Sequence, residues 1–507
     1  MDCKSTQPFS QTKARFRNVH IKTVEVVYMD KDELRKRALS VTTIPNHFHP
    51  FIEEYFEGEN GEGEAMFSWT NKKEDEGISI NFDLAGNLTR LSIDLHDKHT
   101  DKISLNAEER KKQAEQFLLT YYPNALEELT FYEMKILDNA YRFHYELLVM
   151  DMPLMSSGAL IDVDPEGNIV QFSYEATKQI PEIPTTLISK EKLIEQVKQK
   201  LNFDLIISNL YSSIHSVTED GLRLVYEPEP SFMNYKASEL IPTLSIIHDD
   251  DDISETHIPL APPKHGAIQK DLSVNELIGI TEQMEIIREV DMGEETGIVW
   301  RDRNWKMAEQ DLSIDGFFKR QTEDTVKAFV SKETGKVRSF MWFIERRGNL
   351  NLSREECLQK ALEFLQMSFP YYHQYLQLIE RETEDEMDEA TKKEVFTFNL
   401  HNGHGVKILL ELVIVAVNRE TGQIDHYSGP SFDPKQLSKV PTEPEISSKQ
   451  AKEIFLKHLD FELAWHRDYD VETDSYILVY QACDLYSRTP IRYIDGMTGA
   501  VITAEDN

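Results

Sequence analysis

The sequence predicts an α+β fold of six tandem modules, in which each module packs one helix on a small antiparallel sheet. Three observations lead to this prediction. A strand, a glycine-containing turn and a second strand recur along the chain, and a helix-like segment precedes each recurrence. Two gap-free matches also relate the first half of the sequence to the second. We therefore expect two duplicated halves of three modules each.

The stretch Val413–Ser428, which reads VIVAVNRETGQIDHYS, shows the recurring pattern most clearly. Two apolar runs flank the turn, and Gly422 supplies a residue that adopts positive φ without steric cost, as a tight hairpin requires. The same pattern surrounds four further glycines, Gly86, Gly167, Gly335 and Gly499. Repeats of this kind indicate modules that bury their helix faces and then stack on one another.

In the first half, a capping residue precedes each of three apolar-periodic segments, which predicts three helices. The helices are predicted at Asp32–Leu39, Asn106–Pro123 and Ser189–Leu201. Short apolar or alternating runs bounded by turn residues predict the strands. The strands are predicted at Ala65–Trp69, Ile78–Asp83, Leu88–Leu95, Glu128–Leu137, Tyr141–Met150, Gly158–Asp164, Asn168–Glu175, Leu222–Tyr226 and Thr243–His248.

The second half repeats the first. NAEERKKQAEQFLLTYYP at Asn106–Pro123 matches SREECLQKALEFLQMSFP at Ser353–Pro370 without a gap. LISKEKLIEQVKQKLNFDL at Leu187–Leu205 matches EISSKQAKEIFLKHLDFEL at Glu445–Leu463, again without a gap. We therefore expect the three helices of the second half to open near Ser273, Ser353 and Ser447.

An acidic run and three prolines occupy His248–Lys270, which shows neither helical nor strand periodicity. We interpret 248–272 as a linker between a first triple module at 29–247 and a second at 273–507. Asp249–Asp252 also suggest a calcium site. However, four consecutive aspartates point in different directions and lack the turn glycine of a calcium loop, so a solvated linker is favoured.

The first 28 residues form a basic tail that is unlike the rest of the chain. Its cations are Lys4, Lys13, Arg15, Arg17 and Lys22. Because Met29 opens a credible helix start, we expect translation in the cell to begin there. The tail lacks the apolar core of a secretory signal, and no run approaches the roughly 18 apolar residues of a membrane span. A cytoplasmic location is expected.

The composition excludes some partners. The 507 residues carry 89 acidic and 55 basic side chains, for a formal charge of −34, which repels nucleic acid and anionic membranes. The acidic surface suits a cationic partner, divalent ions, or solubility alone. The three cysteines, Cys3, Cys357 and Cys483, form no CxxC pair and are expected to be reduced.

The spacing of helix, meander and (D/N)xxTGxI, at Asn418–Ile424 and Asp495–Val501, resembles PepSY-type domains. The doubled arrangement over nearly the whole chain is similar to the YcdB/YcdC repeat family of Gram-positive bacteria. Single PepSY-like domains resemble propeptides of thermolysin-type proteases, which implies inhibition of a peptidase or assistance of its folding. The repeat family itself has no settled activity. The absence of a signal peptide argues against an extracellular protease as the target.

The sequence contains no GxSxG, HExxH, GxxxxGK(S/T) or GxGxxG motif, so serine-hydrolase, zincin and nucleotide-loop chemistry have no local support. We assign no catalytic, cofactor-binding or metal-ligating residue and expect no cofactor. Three histidine pairs remain open as partial metal sites, but each lacks a visible third ligand, and surface histidines are the commoner case. These pairs are His47/His49, His96/His99 and His401/His404, the last in a hairpin loop.

Two other features admit both a functional and a structural interpretation. Cys357 lies near a helix N-terminus, which lowers a thiol pKa, but no histidine is near it in sequence. The pairs Tyr121-Tyr122 and Tyr371-Tyr372 adjoin prolines, and they either line a peptide groove or pack a helix end onto its sheet. Packing is the favoured interpretation for the tyrosines, and strand edges are the better candidates for peptide binding.

Three functional hypotheses follow. The first is a cytoplasmic, non-enzymatic protein that binds a protein or peptide and modulates a peptidase. The second is an enzyme whose site lies between the two halves, and the third is a structural protein. A deep cleft lined by acids or histidines with shifted pKa values favours the enzyme, whereas grooves beside open strand edges favour binding. The oligomeric state is left open.

Overall fold

The computed structural model describes residues 29–57, 63–96, 104–176, 180–231, 233–242, 255–263, 272–306, 311–381, 392–432, 434–468 and 475–505. The basic tail, the strand predicted at Thr243–His248 and the aspartate run Asp249–Asp252 lie outside these residues. The chain divides into two compact units. The smaller holds the described residues up to 96 together with Val170–Phe172, and the larger holds the others.

The helices, in chain order, are α1 Lys31–Val41, α2 Ala107–Tyr121, α3 Ala125–Glu128, α4 Lys190–Lys200, α5 Val274–Ile278, α6 Ile314–Thr322, α7 Arg354–Ser368, α8 Tyr372–Tyr375 and α9 Ser448–His458, with a 3₁₀ helix at Pro434–Lys439. The strands are β1 His49–Glu57, β2 Gly63–Thr70, β3 Gly77–Asp83, β4 Leu88–Asp94, β5 Thr130–Ile136, β6 Tyr141–Val149, β7 Met152–Val163, β8 Ile169–Glu175, β9 Asn202–Leu210, β10 Gly221–Glu229, β11 Asn234–Lys236, β12 Glu255–Pro259, β13 Met284–Asp291, β14 Glu295–Asp302, β15 Thr325–Ser331, β16 Val337–Trp342, β17 Leu376–Arg381, β18 Lys393–His401, β19 Lys407–Asn418, β20 Ile424–Ser428, β21 Leu459–Arg467, β22 Tyr476–Asp484, β23 Ile491–Asp495 and β24 Val501–Thr503.

The helix starts follow the sequence. Asp30 caps α1, where its side chain accepts a hydrogen bond from the Glu33 N–H at 2.9 Å. Asn106 and Ser353 form capping boxes at the equivalent helices α2 and α7, so the duplication extends to the caps. Near Ser273 the helix α5 is only five residues long, because Gly279 ends it in the left-handed conformation.

The turn glycines confirm the recurring hairpin. All five have positive φ, between 65° at Gly335 and 91° at Gly167. At the turn of Gly422, the Asn418 side chain accepts hydrogen bonds from the Glu420 and Thr421 N–H groups at 3.0 Å. The sequence therefore predicts both the position and the backbone of this turn.

In the smaller unit, β1 to β4 form an antiparallel meander, and α1 packs against β2 and β3 through Leu34 and Ala38. The strand β1 was not predicted. Its sequence HPFIEEYFE carries adjacent acids that break the alternation, and the structure holds Glu53 by hydrogen bonds from Arg35 and Tyr55. Pairing with the next strand β2 and these side-chain contacts, rather than an alternating pattern, specify this strand.

In the larger unit, the strands of successive modules join. One 13-stranded sheet runs β13-β14-β15-β16-β20-β19-β9-β10-β23-β24, with β12, β17 and β18 attached beside β19. A second array runs from β5 and β6 through β7 to β21, β22 and β11. The α+β class is confirmed, but the prediction of a separate small sheet in each module is wrong here, because strands of different modules pair directly.

The third modules of the two halves are exchanged. β7 meets β21 at a parallel bridge between Leu154 and Trp465, and β19 meets β9 at a parallel bridge between Ile408 and Ile207. The duplication places Leu154 at the position of Ile408 and Ile207 at the position of Trp465. The first two strands of each third module thus lie in the sheet of the other half, whereas β11 and β23–β24 lie in the sheet of their own half. Each sheet contains strands from both 29–247 and 273–507. These bounds therefore stay a prediction about the duplicated sequence.

A bulge in β7 and β19 makes room for the exchanged strands. Gly158 pairs with Glu146, but the next pair along the ladder is Pro153 with Leu148. The same irregularity recurs in β19, where Leu412 and Lys407 are the flanking paired residues. Leu154 and Ile408 lie inside these bulges and are both buried, which points them at the incoming strand.

The buried clusters contain residues of both halves. Ile207 and Leu224 pack in the cluster that includes Trp342, Phe364 and Val415. In the other direction, Phe455, Phe461 and Trp465 pack in the cluster that includes Leu154 and Leu193. Each core therefore closes only when both exchanged modules are in place.

The linker contains a strand, so its prediction as a segment without strand structure is wrong for residues 255–259. β12 pairs antiparallel with β17, with Ile258 opposite Leu378. The sequence ETHIP has little strand character of its own, and pairing with the edge of β17 specifies it.

We expect the two parts of the chain to stay associated after the linker is cut. A protease site inserted between Asp252 and Ile253 permits cleavage before β12, and the exchanged strands and mixed cores should hold the fragments together. The fragments are expected to co-elute from size exclusion under native conditions and to separate in denaturant. Separation without denaturant contradicts the exchange.

Candidate functional site

The strand β5 presents an open edge. Within the described residues β5 pairs with β6 alone, so its other side is a row of backbone groups without a strand partner. Its apolar side chains are unusually accessible, with Ile136 70% exposed and Phe131, Tyr132 and Met134 also exposed. Exposed apolar side chains on an unpaired edge are typical of a site for strand addition.

The local sequence explains why this edge is apolar. Phe131, Met134 and Ile136 lie opposite Tyr145, Phe143 and Tyr141 of β6, on the face that α2 covers. A register shift between Phe131 and Glu133 makes a bulge that keeps these residues on one face. The helix packs on β6 and β7, so the strip on β5 lies at the rim of the core.

The equivalent edge in the second half is filled. α3 and α8 follow the matched helices α2 and α7 at the same distance in sequence, so β5 is the counterpart of β17. β17 pairs on one side with β18 and on the other with β12. Under this added strand Leu378 is 3% exposed, whereas its counterpart Phe131 is 38% exposed. The chain therefore contains its own example of a short strand added at this position.

A polar cluster lies on the opposite face of β5 and β6. His144 Nε2 is 3.8 Å from Glu133 Oε1, and His144 Nδ1 is 3.9 Å from Glu146 Oε1, both too long for hydrogen bonds. His144 Nε2 and Glu146 Oε2 are buried without a hydrogen-bond partner among the described residues. Arg142, the neighbouring cation, is engaged by Asp162 through two contacts of 2.8 Å.

Burial shifts both titratable groups of the cluster toward their neutral forms. It raises the pKa of Glu146 to about 7, with a smaller contribution from the charge of Glu133. It lowers the pKa of His144. The cluster is therefore poorly solvated and poorly paired, and a cation placed near it gains a favourable interaction.

The Glu146→Gln variant is expected to be more stable than the wild type at pH 8. The folded-state pKa lies above the unfolded value of 4.5, so the favourable contribution is complete below pH 4.5 and is lost as pH rises through about 7. Glutamine removes this loss, and the gain in free energy of unfolding should be about 1–2 kcal/mol at pH 8. Thermal melts from pH 5 to 8 measure it, and an identical difference at all pH values refutes the assignment.

A second candidate is a cavity of about 660 Å³ in the larger unit. Tyr211 and Asp220 from the β9–β10 connection line it, together with Arg338 of β16 and Tyr371 at the start of α8. The exchanged third module thus contributes one wall and the second half the others. Tyr371 is recognisable in the sequence but the cavity is not, because the exchange that forms the cavity leaves no local sequence signal.

Some tyrosines of the two pairs pack against the fold, and one lines a cavity. Tyr372 is buried, and Tyr122 stacks on Tyr174 at 3.7 Å between ring centroids, so these two pack as favoured. Tyr371 instead lines the cavity, 62% exposed, with a positive φ of 70°. Its counterpart Asn124 has a φ of −102°. The left-handed backbone is thus a property of the second half alone.

The cavity has an acidic side. Burial raises the pKa of Tyr211, and the charges of Glu411, Glu294 and Asp220 raise it further. The Ser212 N–H and hydroxyl both donate to Asp220 Oδ1 at 2.7 Å, which lowers the pKa of Asp220. The described lining residues include neither histidine nor cysteine.

Tyr371→Gly is expected to leave the protein as stable as the wild type or more stable, by up to about 1 kcal/mol. Glycine relieves a left-handed backbone that costs a tyrosine about 1–2 kcal/mol, and this offsets its larger chain entropy. Tyr486→Gly is the matched control, since Tyr486 is also exposed but has no positive φ. Chemical denaturation should show a loss of about 0.5–1 kcal/mol for the control only. Equal losses in both variants contradict the strain at Tyr371.

The described histidines of the three pairs lie near the Asp75–Glu76 turn, at the start of β1 and in the β18–β19 hairpin. His47 Nε2 is 3.7 Å from Glu76 Oε2, and His96 Nε2 is 3.3 Å from Asp75 Oδ2. The turn that contains Asp75 and Glu76 therefore contacts one histidine of each of two pairs. His49 begins β1, and His99 lies outside the described residues. His401 and His404 occupy the hairpin between β18 and β19, as predicted, with His401 Nδ1 accepting a hydrogen bond from the Gly403 N–H. In the part of the chain that the structure describes, no three His, Cys, Asp or Glu residues are placed to hold a metal ion.

The thiols are buried. Burial raises the pKa of Cys357, with the charge of Glu394 adding to the effect, so the expectation that the helix N-terminus lowers this pKa is wrong. Burial also raises the pKa of Cys483 to about 11. Both side chains are free thiols, and Cys3 lies outside the described residues. Neither described cysteine has the exposure or the thiolate character of a nucleophile.

Among the helices of the described residues, none is long and apolar enough to cross a membrane.

Comparison with known proteins identifies the family. The family described as "YcdB, YcdC repeated domain" matches this chain twice, over residues 31–176 and 267–431. The chain belongs to this family. The two matches also support the internal duplication, and each ends close to the boundary of the second module in its half.

YcdB of Bacillus subtilis (strain 168) is 33% identical over 463 residues, which cover 90% of this chain and 95% of that protein. YcdC of the same organism is 30% identical over 457 residues, or 89% of this chain and 96% of that protein. Among solved structures, the Bacillus megaterium YpeB C-terminal domain is 18% identical, covers 46% of this chain and 94% of its own, and has a TM-score of 0.22. That score is too low to inform this fold.

Proposed function

We propose that this YcdB/YcdC repeat protein is a cytoplasmic, non-enzymatic binding protein that adds an extended segment of another polypeptide to the open edge of β5. One observation carries the proposal. The duplicate strand β17 already holds an added strand, β12, whereas β5 has no such partner among the described residues.

The added segment gains two kinds of interaction. Its backbone completes the row of donors and acceptors along β5, as β12 does along β17 through five successive residue pairs. Its apolar side chains cover Phe131, Met134 and Ile136, and full burial of such a side chain contributes about 1.5–3 kcal/mol. Ordering costs consume part of this gain, so an affinity on the order of micromolar is expected for a short peptide.

The finer identity of the partner rests on the resemblance of the modules to PepSY-type domains. That resemblance suggests a peptidase as the protein that presents the segment, with modulation of its activity as the outcome. The alternative of an enzyme with a site between the halves is not favoured, because Asp220 and Tyr211 in the cavity lack a histidine or a thiol partner among the described lining residues.

Selection of peptides on the full chain tests the proposal. A display library of random nine-residue peptides is selected on the wild type, and enriched peptides are measured by fluorescence anisotropy. The double variant Met134→Lys/Ile136→Lys places charges on the exposed strip and should weaken binding at least tenfold without loss of folding. Leu410→Lys is the matched control, at an exposed leucine of β19.

Hydrogen exchange separates strand addition from other modes of binding. A bound peptide should slow exchange at the backbone amides of Thr130–Ile136 and leave those of β17 unchanged, since β12 already covers that edge. Peptides that bind the double variant as tightly as the wild type, or that leave β5 unprotected, would falsify the proposal.

A further inference from the structure

The open edge of β5 selects its partner by charge as well as by shape. We propose that the polypeptide segment added to β5 carries a lysine or arginine opposite Glu133, next to an apolar residue opposite Met134. This inference rests on the proposed function, because it specifies the segment that the edge receives.

The duplicate strand supplies the register. On β17, Thr256 lies opposite Glu380, and Ile258 lies opposite Leu378. The match of the two halves places Glu133 at the position of Glu380 and Phe131 at that of Leu378. An antiparallel segment on β5 in the same register therefore meets Met134, at the position of Arg381, with its first residue and Glu133 with its second. The bulge between Phe131 and Glu133 places these two side chains on opposite faces, so the register is carried over only as far as Glu133.

The two faces of the added strand meet different surroundings. Phe131 and Met134 lie on the face of α2, where apolar side chains extend the core. Glu133 lies on the opposite face, opposite His144 and on the same side as Glu146. Alternation in the segment between apolar and cationic residues therefore matches the alternation of β5.

The electrostatics of the outer face favour a cation. Four charged or titratable groups of β5 and β6 lie there, Glu133, Lys135, His144 and Glu146, and the Arg142–Asp162 pair joins β6 to β7. Arg142 is held by Asp162, and the lowered pKa of His144 favours its neutral form. Lys135, which lies 4.0 Å from Glu133, is therefore the cation on β5 that balances the carboxyl groups of Glu133 and Glu146. A lysine or arginine on the added strand supplies the missing positive charge beside Glu133.

Two matched peptides test the inference on the full chain. Both are based on residues 253–262, ISETHIPLAP, and both carry Glu255→Val so that an apolar residue faces Met134. One peptide carries Thr256→Lys and the other Thr256→Glu, and binding is measured by fluorescence anisotropy at low and high salt. The lysine peptide is expected to bind about threefold to tenfold more tightly, and 0.5 M salt should reduce the difference.

Two protein variants separate the possible outcomes. In Glu133→Gln the two peptides should bind equally, and in Met134→Lys/Ile136→Lys both should bind weakly. Equal binding of the two peptides to the wild type overturns the charge preference and leaves strand addition intact. Failure of both peptides to bind the wild type overturns strand addition at β5, and the charge preference with it.

Discussion

The fold depends on two equivalent parallel bridges, Leu154 with Trp465 and Ile408 with Ile207. At each bridge a bulged strand of one half meets a strand from the third module of the other half. Trp465 is buried, and its indole Nε1 donates to the Val149 carbonyl at 3.0 Å, which ties the exchanged strand to β6 as well as to β7. Side chains this large, when fully enclosed, dominate the energy of a core. The sheets, the mixed cores and the cavity beside Tyr371 all require the exchange.

Duplication gives the molecule two copies of one strand edge in different states. At β17 the chain covers the edge with its own segment β12, and Leu378 beneath it is buried. At β5 the same position is apolar and exposed. A protein that must avoid association protects such edges, and the acidic surface and the cover over β17 are both protective. The edge of β5 is thus the copy that the described residues leave uncovered, and it is the edge to which the proposed function assigns the partner segment.

Local features of the fold could be predicted from the sequence because local chemistry determines them. The turn glycines, the caps at Asp30, Asn106 and Ser353, and the matched helices all follow from residue type and spacing. Among the strands that were missed, β1 pairs with the next strand β2 but has adjacent acids that break its alternation, and β12 is specified by β17, which is distant in sequence. The exchange has no local signal at all. Strand edges were the predicted kind of site. Comparing the two copies of the sequence would have pointed to β5, since four of the six residues of Phe131–Ile136 are apolar or aromatic and only the second half is preceded by an ETHIP segment.

The exchange of third modules has a consequence for the history of the chain. Two identical half-length chains that traded their last module would form a symmetric pair, in which each bulge received the same strand of its neighbour. Joining two such copies in one gene preserves every one of these contacts and removes the requirement that the copies remain identical. After fusion, one copy is free to acquire a segment that closes its edge while the other keeps its edge open. A symmetric pair of identical chains carries the same sequence at both edges, whereas one chain that contains both copies can close the edge of β17 and leave that of β5 open.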